Sequence, residues 1–179
     1  MLRMNNLVWI DMEFSGLDPG KDVVLEIASA VTDSELNIIA EGPDIVVHQP
    51  DGVLEGMDEW NRTHHQKSGL TEQVRKSRET VEGAQRKTLE FLKKHVKKGD
   101  SPLCGNSVHV DRLFMKKHMP GIDEYLHYRI IDVSTIKELV RRWYPKMEPY
   151  KKEGTHRAAQ DIIESINELR HYRENVFVK

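Results

Sequence analysis

The sequence predicts an α/β fold, a mixed five-stranded sheet flanked by helices, in one domain spanning residues 1–179. Three observations carry this expectation. Closely spaced apolar runs near the start are joined by turn residues, the pattern of an antiparallel meander. Further on, short apolar runs alternate with amphipathic stretches, which places helices against a growing sheet. No repeat, low-complexity tract or linker interrupts the chain, and 179 residues suffice for one buried core.

Leu7 to Phe14 reads as a buried strand that Ser15-Gly16 ends, and Leu17-Asp18-Pro19-Gly20 as a turn. Val23 to Thr32 is a second strand, followed by a turn at Asp33-Ser34-Glu35. Leu36 to Ala40 and Ile45 to His48 read as a third strand interrupted near Gly42-Pro43. Gly56 to Thr80 is polar and helical in pieces, with Trp60 its large apolar residue. On its own Trp60 reads as a core anchor. Thr80 caps a helix to about Lys97, whose end carries Lys93, Lys94, Lys97 and Lys98 on a solvated face. Pro102 to Asn106 is a short strand that breaks at Gly105. Val108 to His118 is a helix halted near Pro120, and Ile122 to Leu126 a shorter one. Tyr128 to Val133 is the fifth strand. Ser134 or Thr135 caps the next helix, with Thr135 and Glu138 spaced as a capping box, and that helix ends at Trp143-Tyr144-Pro145. Lys146 to Gly154 is a polar loop of solvated lysines with no evident task. The last helix runs from about Arg157 to Asn175, with Ala159, Ile162, Ile163, Ile166 and Leu169 as its apolar stripe.

Charged residues make up 31% and hydrophobic ones 38%, which leaves no room for a membrane span. A formal net charge of −2 argues against a protein that coats long nucleic acid, and is compatible with a small pocket for a short anionic ligand. Cys104 is the only cysteine, so a reducing compartment is expected. Met1 to Asn6 shows no signal-peptide core. The expected location is cytoplasmic, or mitochondrial had a presequence been removed.

Chemistry is signalled by the first strand. Asp11 and Glu13 are two apart, so they point to the same face of an otherwise apolar strand. Two like charges there repel, each loses hydration, and no Lys or Arg in the strand compensates. A divalent ion bound by oxygen ligands is the natural balance; the alternatives are that one carboxylate is protonated, or that both reach solvent at a sheet edge. Asp111 and Asp161, each on an expected helix among apolar residues, are the best candidates for further ligands. His156 lies five before Asp161, an offset that suits a loop position just ahead of the helix. Glu26, between Leu25 and Ile27, either reaches this site or bonds neighbouring backbone.

Asp11-Met12-Glu13, Gly105-Asn106-Ser107-Val108-His109-Val110-Asp111 and His156-Arg157-Ala158-Ala159-Gln160-Asp161 resemble the three motifs of the DEDD exonucleases, in the subclass with a motif-three histidine. Phe14 to Asp18, Cys104 to Ser107, His127 to Thr135 and Thr155-His156 resemble the branch of that family that degrades oligoribonucleotides. The resemblance runs from Leu7 to about Phe177. It implies an RNase H-like fold and 3′→5′ exonuclease action on short RNA, dinucleotides above all, by a homodimer without membrane attachment. It also implies two divalent ions, Mg²⁺ or Mn²⁺, held by Asp11, Glu13, Asp111 and Asp161 with Asp11 bridging, and His156 as general base. Leu17 would wedge against the bases and Trp60 stack on one, a contact worth about 1–3 kcal/mol. Ser107, Arg129, Ser134 and Thr135 would hold the 5′ phosphate, helped by free N–H groups where the Ser134-Thr135 helix opens. Tyr128 would reach the other subunit's site. Lacking such context, His64, His65, His95, His118 and His171 read as capping or surface residues, and His109 carries no catalytic role.

Overall fold

The computed structural model describes residues 6–152 and 157–177. Strands β1 (Leu7–Phe14), β2 (Val24–Thr32), β3 (Ile38–Val46), β4 (Leu103–Gly105) and β5 (Ile130–Asp132) form one sheet in the order β3-β2-β1-β4-β5. The first three are an antiparallel meander; β4 runs parallel to β1, and β5 to β4. The described helices are α1 (Asp51–Glu55), α2 (Glu59–Lys67), α3 (Leu70–Lys76), α4 (Val81–His95), α5 (His109–His118), α6 (Pro120–Tyr125), α7 (Val133–Trp143) and α8 (Ala158–Asn175). This is the mixed five-stranded sheet flanked by helices that the sequence predicts.

Central β1 is covered on both faces, apolar throughout on one and over its first half on the other. Val8, Ile10, Met12 and Phe14 pack with Ala84 and Leu92 of α4, Phe114 and Met115 of α5, and Ile122 of α6. Trp9 points the other way, into a cluster with Val133 and Val140 of α7 and Ile162 and Ile166 of α8. Its indole Nε1 donates to Thr32 Oγ1 at 3.0 Å, so the ring is buried without an unmet donor. Each such large side chain contributes about 1.5–3 kcal/mol. The same alternation carries Asp11 and Glu13 onto the Trp9 face, toward α8. A third cluster, Leu25, Leu54, Met57, Leu70 and Val74, seats α1 and α3 beside the sheet.

Three local expectations are corrected. Strand β3 passes through Gly42-Pro43 instead of breaking there. It lies at the sheet edge and bonds only β2, so a proline without an N–H is tolerated. The register shifts between Ala28 and Ala30 absorb the irregularity, and a Cβ at Gly42 would come within 2.6 Å of the Phe91 ring of α4. Helix α7 is capped by Asp132, not by Ser134 or Thr135: the last residue of β5 turns its carboxylate onto Ser134 N–H at 2.9 Å. In α8 it is Ala158, not Ala159, that is buried, and Tyr172 extends the stripe. Thr80 caps α4 as expected, accepting from Gly83 N–H at 3.0 Å.

Glu26 resolves toward backbone bonding. It stands opposite Glu13 in the β1–β2 register and is fully buried. Its carboxylate accepts from Arg157 Nε (3.0 Å) and Nη2 (2.6 Å), and from the Ala158 N–H at 3.0 Å. A sheet residue thereby supplies the cap that α8 lacks from its own Arg157 side chain. Removing one partner of a buried ion pair strands the other charge. Arg157→Ala is therefore expected to destabilise the fold by about 3–5 kcal/mol, read as a lower urea midpoint at unchanged slope; an unchanged midpoint would contradict the clamp.

Candidate active site

The acidic residues converge at the C-terminal end of β1. Asp11 and Glu13 come from the strand, and Asp161 from the first turn of α8, which Glu26 holds against β2. One carboxylate oxygen from each lies within 4.8 Å of the others. Asp111, in the first turn of α5, is buried and takes a backbone hydrogen bond from Met12, between the two strand acids. It lines the same cleft but stands outside the tight trio.

Electrostatics follow from this crowding. Burial, then the charges of Asp111, Glu13 and Asp161, raise the Asp11 carboxyl well above its ordinary range, with Lys152 opposing. Burial, then Asp161, Glu26 and Asp111, push Glu13 up to about 8 against the pull of Arg157. Burial pushes Asp111 to about 8 despite two backbone hydrogen bonds. Clustered, desolvated carboxylates of this kind suit a hard divalent ion with oxygen ligands; zinc would call for more His or Cys. The residues thus fit the ions that the sequence motifs imply.

The acids sit in a cleft of about 460 Å³ whose walls include Leu17, Trp60, Asn106, Ser107 and Lys152. Leu17 is 74% and Trp60 56% exposed. Trp60 is therefore not a core anchor. The side of α2 turned inward carries Asn61 and His65, leaving the indole at the cleft rim, stacked on His64 at 3.9 Å between centroids. Ser107 also borders a neighbouring cleft of about 380 Å³ with His109, Asp132, Ser134, Thr135 and Arg142. So Ser107, Ser134 and Thr135 are brought together. The Ser134 N–H, however, is taken by Asp132, which leaves the hydroxyls rather than that amide for a ligand. Arg129 and Tyr128 line neither cleft. Tyr128 is 74% exposed, with the Arg129 guanidinium 5.4 Å from its ring centre. His156, with Gly154 and Thr155, lies outside the described residues.

Some neighbours of the site escape sequence reasoning. His65 is not a surface residue: it is 1% exposed, its Nε2 donates to Phe14 O at 2.9 Å, and its Nδ1 lies 4.0 Å from Glu13 Oε2. Glu164 and Ser165 of α8 line the cleft one helical turn beyond Asp161. Their offsets of three and four from Asp161 were the available signal. Lys152, in the loop with no evident task, bonds Asn106 and Glu168, and nothing in its local sequence distinguishes it from Lys151.

Residues 8–169 match the exonuclease family model RNase_T. An oligoribonuclease from Shewanella putrefaciens is 55% identical over 176 residues, covering 98% of this chain and 97% of that relative. A probable oligoribonuclease from Dictyostelium discoideum is 56% identical over 175 residues, covering 98% and 92%. Among solved structures, exonuclease I from Methylocaldum szegediense superposes with a TM-score of 0.69 at 19% identity, over 96% of this chain and 41% of that one. The zinc-bound E. coli exonuclease I complex with single-stranded DNA gives 0.70 at 15%, over 97% and 41%. The present chain thus spans about two-fifths of those larger proteins, and the likeness to them is one of RNase H-like fold. With a matching family model along nearly all of its length and relatives above half identity, the chain belongs to the RNase_T exonuclease family, among its oligoribonucleases.

Proposed function

We propose that this exonuclease works as a single domain, residues 1–179, that removes 5′-mononucleotides from the 3′ end of short oligoribonucleotides. Dinucleotides are its preferred substrates, among them the linear dinucleotide pGpG in organisms that make it. The observation that carries the reading is the meeting of Asp11, Glu13 and Asp161 with Asp111 in one desolvated cleft bordered by exposed Leu17 and Trp60. The oligoribonuclease relatives support the substrate class.

Asp11, Glu13, Asp111 and Asp161 would hold two divalent ions, Mg²⁺ or Mn²⁺. Such ions, when bound, supply an activated water and neutralise the charge that builds on the phosphate. The chain's own residues do the rest. His156 accepts a proton from the attacking water, a role suited to an imidazole near neutral pH. Leu17 and Trp60 grip the bases by their faces, which any base offers, so binding tolerates sequence. The hydroxyls of Ser107, Ser134 and Thr135 hold the 5′ phosphate and so limit length; Arg129, which lines neither cleft of its own chain, joins them from the partner beside Tyr128. A homodimer brings Tyr128 to the partner's cleft, a reading supported by the exposure of Tyr128 and Trp143. The buried thiol of Cys104, its pKa raised by burial, suits a reducing compartment such as the cytoplasm; no described helix is long and apolar enough to cross a membrane.

A labelled diribonucleotide with Mn²⁺ should release mononucleotide, and EDTA should stop it. Asp11→Ala or Asp161→Ala should cut turnover by more than about a hundredfold with circular dichroism unchanged. Substrates of two to seven nucleotides should show the shortest preferred; a preference for long single-stranded DNA would refute the reading. Light scattering should give twice the chain mass.

The acid cluster also sets a pH dependence. Glu13 has an ordinary value of 4.5 and is pushed to about 8 in the metal-free fold. Between those values the folded chain keeps a proton that the unfolded chain has lost. Stability of the metal-free protein therefore falls as pH rises through this window. Ion binding must expel such protons and so strengthens with pH. The melting temperature should drop from pH 6 to pH 8 without metal, and Mn²⁺ should raise it more at pH 8; equal increments at both would contradict this.

A further inference from the structure

Between the acidic cleft and the neighbouring cleft of Ser107, Ser134 and Thr135 lies a buried ionic junction that the proposed chemistry does not use. At its centre is Glu168 of α8, 1% exposed. Its Oε2 accepts from Lys152 Nζ at 3.0 Å and from Asn106 Nδ2 at 3.0 Å. Its Oε1 accepts from Tyr172 OH at 2.9 Å and lies 3.3 Å from Lys137 Nζ of α7. The Lys152 ammonium also donates to Asn106 Oδ1 at 3.0 Å. Every polar end of the Asn106 amide is thereby engaged: the oxygen faces an ammonium, and the nitrogen faces the Glu168 carboxylate and, at 3.3 Å, Ser134 Oγ.

Asn106 precedes Ser107, whose φ of 51° lies in the left-handed region that a serine adopts only at a cost. In that conformation the Ser107 N–H donates to Asp132 Oδ1 and Ser134 Oγ, and its hydroxyl lies 3.2 Å from Ser134 Oγ. The junction holds the residue next to the strained one. It also ties together α8 with Asp161, α7 with Ser134 and Thr135, and Lys152. Charge complementarity favours it, because burial raises the Glu168 carboxyl but the bond to Lys152 and the nearby Lys152 and Lys137 charges hold it below its ordinary range.

We propose that Lys152, Glu168 and Asn106 form a strut that holds the Ser107 turn in register with the acidic cleft, which makes Lys152 and Glu168 positioning residues for selection of 5′-phosphorylated dinucleotides. The inference rests on the reading of the Ser107, Ser134 and Thr135 hydroxyls as the 5′-phosphate grip. It gives Lys152 a task that distinguishes it from the solvated lysines of its loop.

The test compares the unaltered chain with Lys152→Met and Glu168→Gln on two substrates, diadenylate with and without its 5′ phosphate, at saturating Mn²⁺. The readout is the ratio of kcat/KM for the two. A general loss of activity or of folded protein lowers both values and cancels in the ratio. Each variant is expected to lower the ratio about tenfold, mainly through a higher KM for the phosphorylated substrate, and Lys152→Arg to restore most of it. A ratio within about twofold of the unaltered chain in Lys152→Met overturns the strut. So does a fall in Lys152→Met with a folded Glu168→Gln unchanged, which would make Lys152 a direct substrate contact. Lys137, Asn106 and Tyr172 still face the Glu168 carboxylate when Lys152 is lost, so where Glu168→Gln fails to fold, Lys152→Met with its arginine rescue decides, its folding checked by circular dichroism. An unaltered chain indifferent to the 5′ phosphate would instead refute the reading of the hydroxyl cleft, independently of the strut.

Discussion

Repulsion among desolvated carboxylates is the constraint to which the rest of the molecule answers. Oxygens of Asp11, Glu13 and Asp161 lie within 4.8 Å of one another. At an effective dielectric of about 20, each fully ionised pair at that distance costs about 3.5 kcal/mol. Three such pairs rival the whole stability of a domain this size, about 5–15 kcal/mol. A fold cannot keep this arrangement charged and uncompensated. Protons compensate in the metal-free chain: burial first and the neighbouring carboxylates second raise Asp11 and Glu13, and burial raises Asp111. Divalent ions do so more completely, and in that state the site has the charge its chemistry needs.

The surroundings of the cluster are built to hold it against that repulsion. Met12 donates its backbone N–H to Asp111. Phe14, next to Glu13, has its carbonyl oxygen fixed by His65. Glu26, a further carboxylate directly across from Glu13, is neutralised by Arg157 and spends its remaining capacity on the first N–H of α8. That bond makes a buried negative charge, which itself adds to the repulsion on Glu13, the device that fixes where α8 begins and so where Asp161 stands. Glu168 performs a comparable task further along the same helix, with Lys152 and Lys137 as its counter-charges. The clamps at Glu26 and Glu168 reach α8 from different elements, one from β2 and one from α7 and the loop before the helix. The helix that carries Asp161 is thus tethered at two places along its length.

The strands and most helices were legible from sequence because they follow from local rules. Leu7–Phe14 matches its apolar run, and Thr80 caps α4 as a threonine before a helix should. The errors arise where a neighbour overrides the local signal. Gly42-Pro43 looks like a break, yet it is tolerated in β3 because that strand bonds on one side only. Ser134 and Thr135 are good capping residues, but Asp132 at the end of β5 reaches the helix first. Size alone reads Trp60 as core, whereas the inward side of α2 is polar and the ring lines the cleft; its reading as a base-stacking residue comes from the family resemblance instead.

What the sequence determined by itself was the inventory of chemistry: two acids on one face of β1, further acids on two helices, and a motif order that marks the exonuclease family. Those features are local in the chain, and period-two alternation or motif spacing is enough to read them. Only the tertiary structure decided which groups act on one another across long stretches of chain. Glu26 meets Arg157, His65 meets Phe14, and Lys152 meets Asn106 and Glu168. Such pairings depend on how helices pack on the sheet. Packing is a property of complementary surfaces brought together by the whole fold, and no spacing along the chain encodes it.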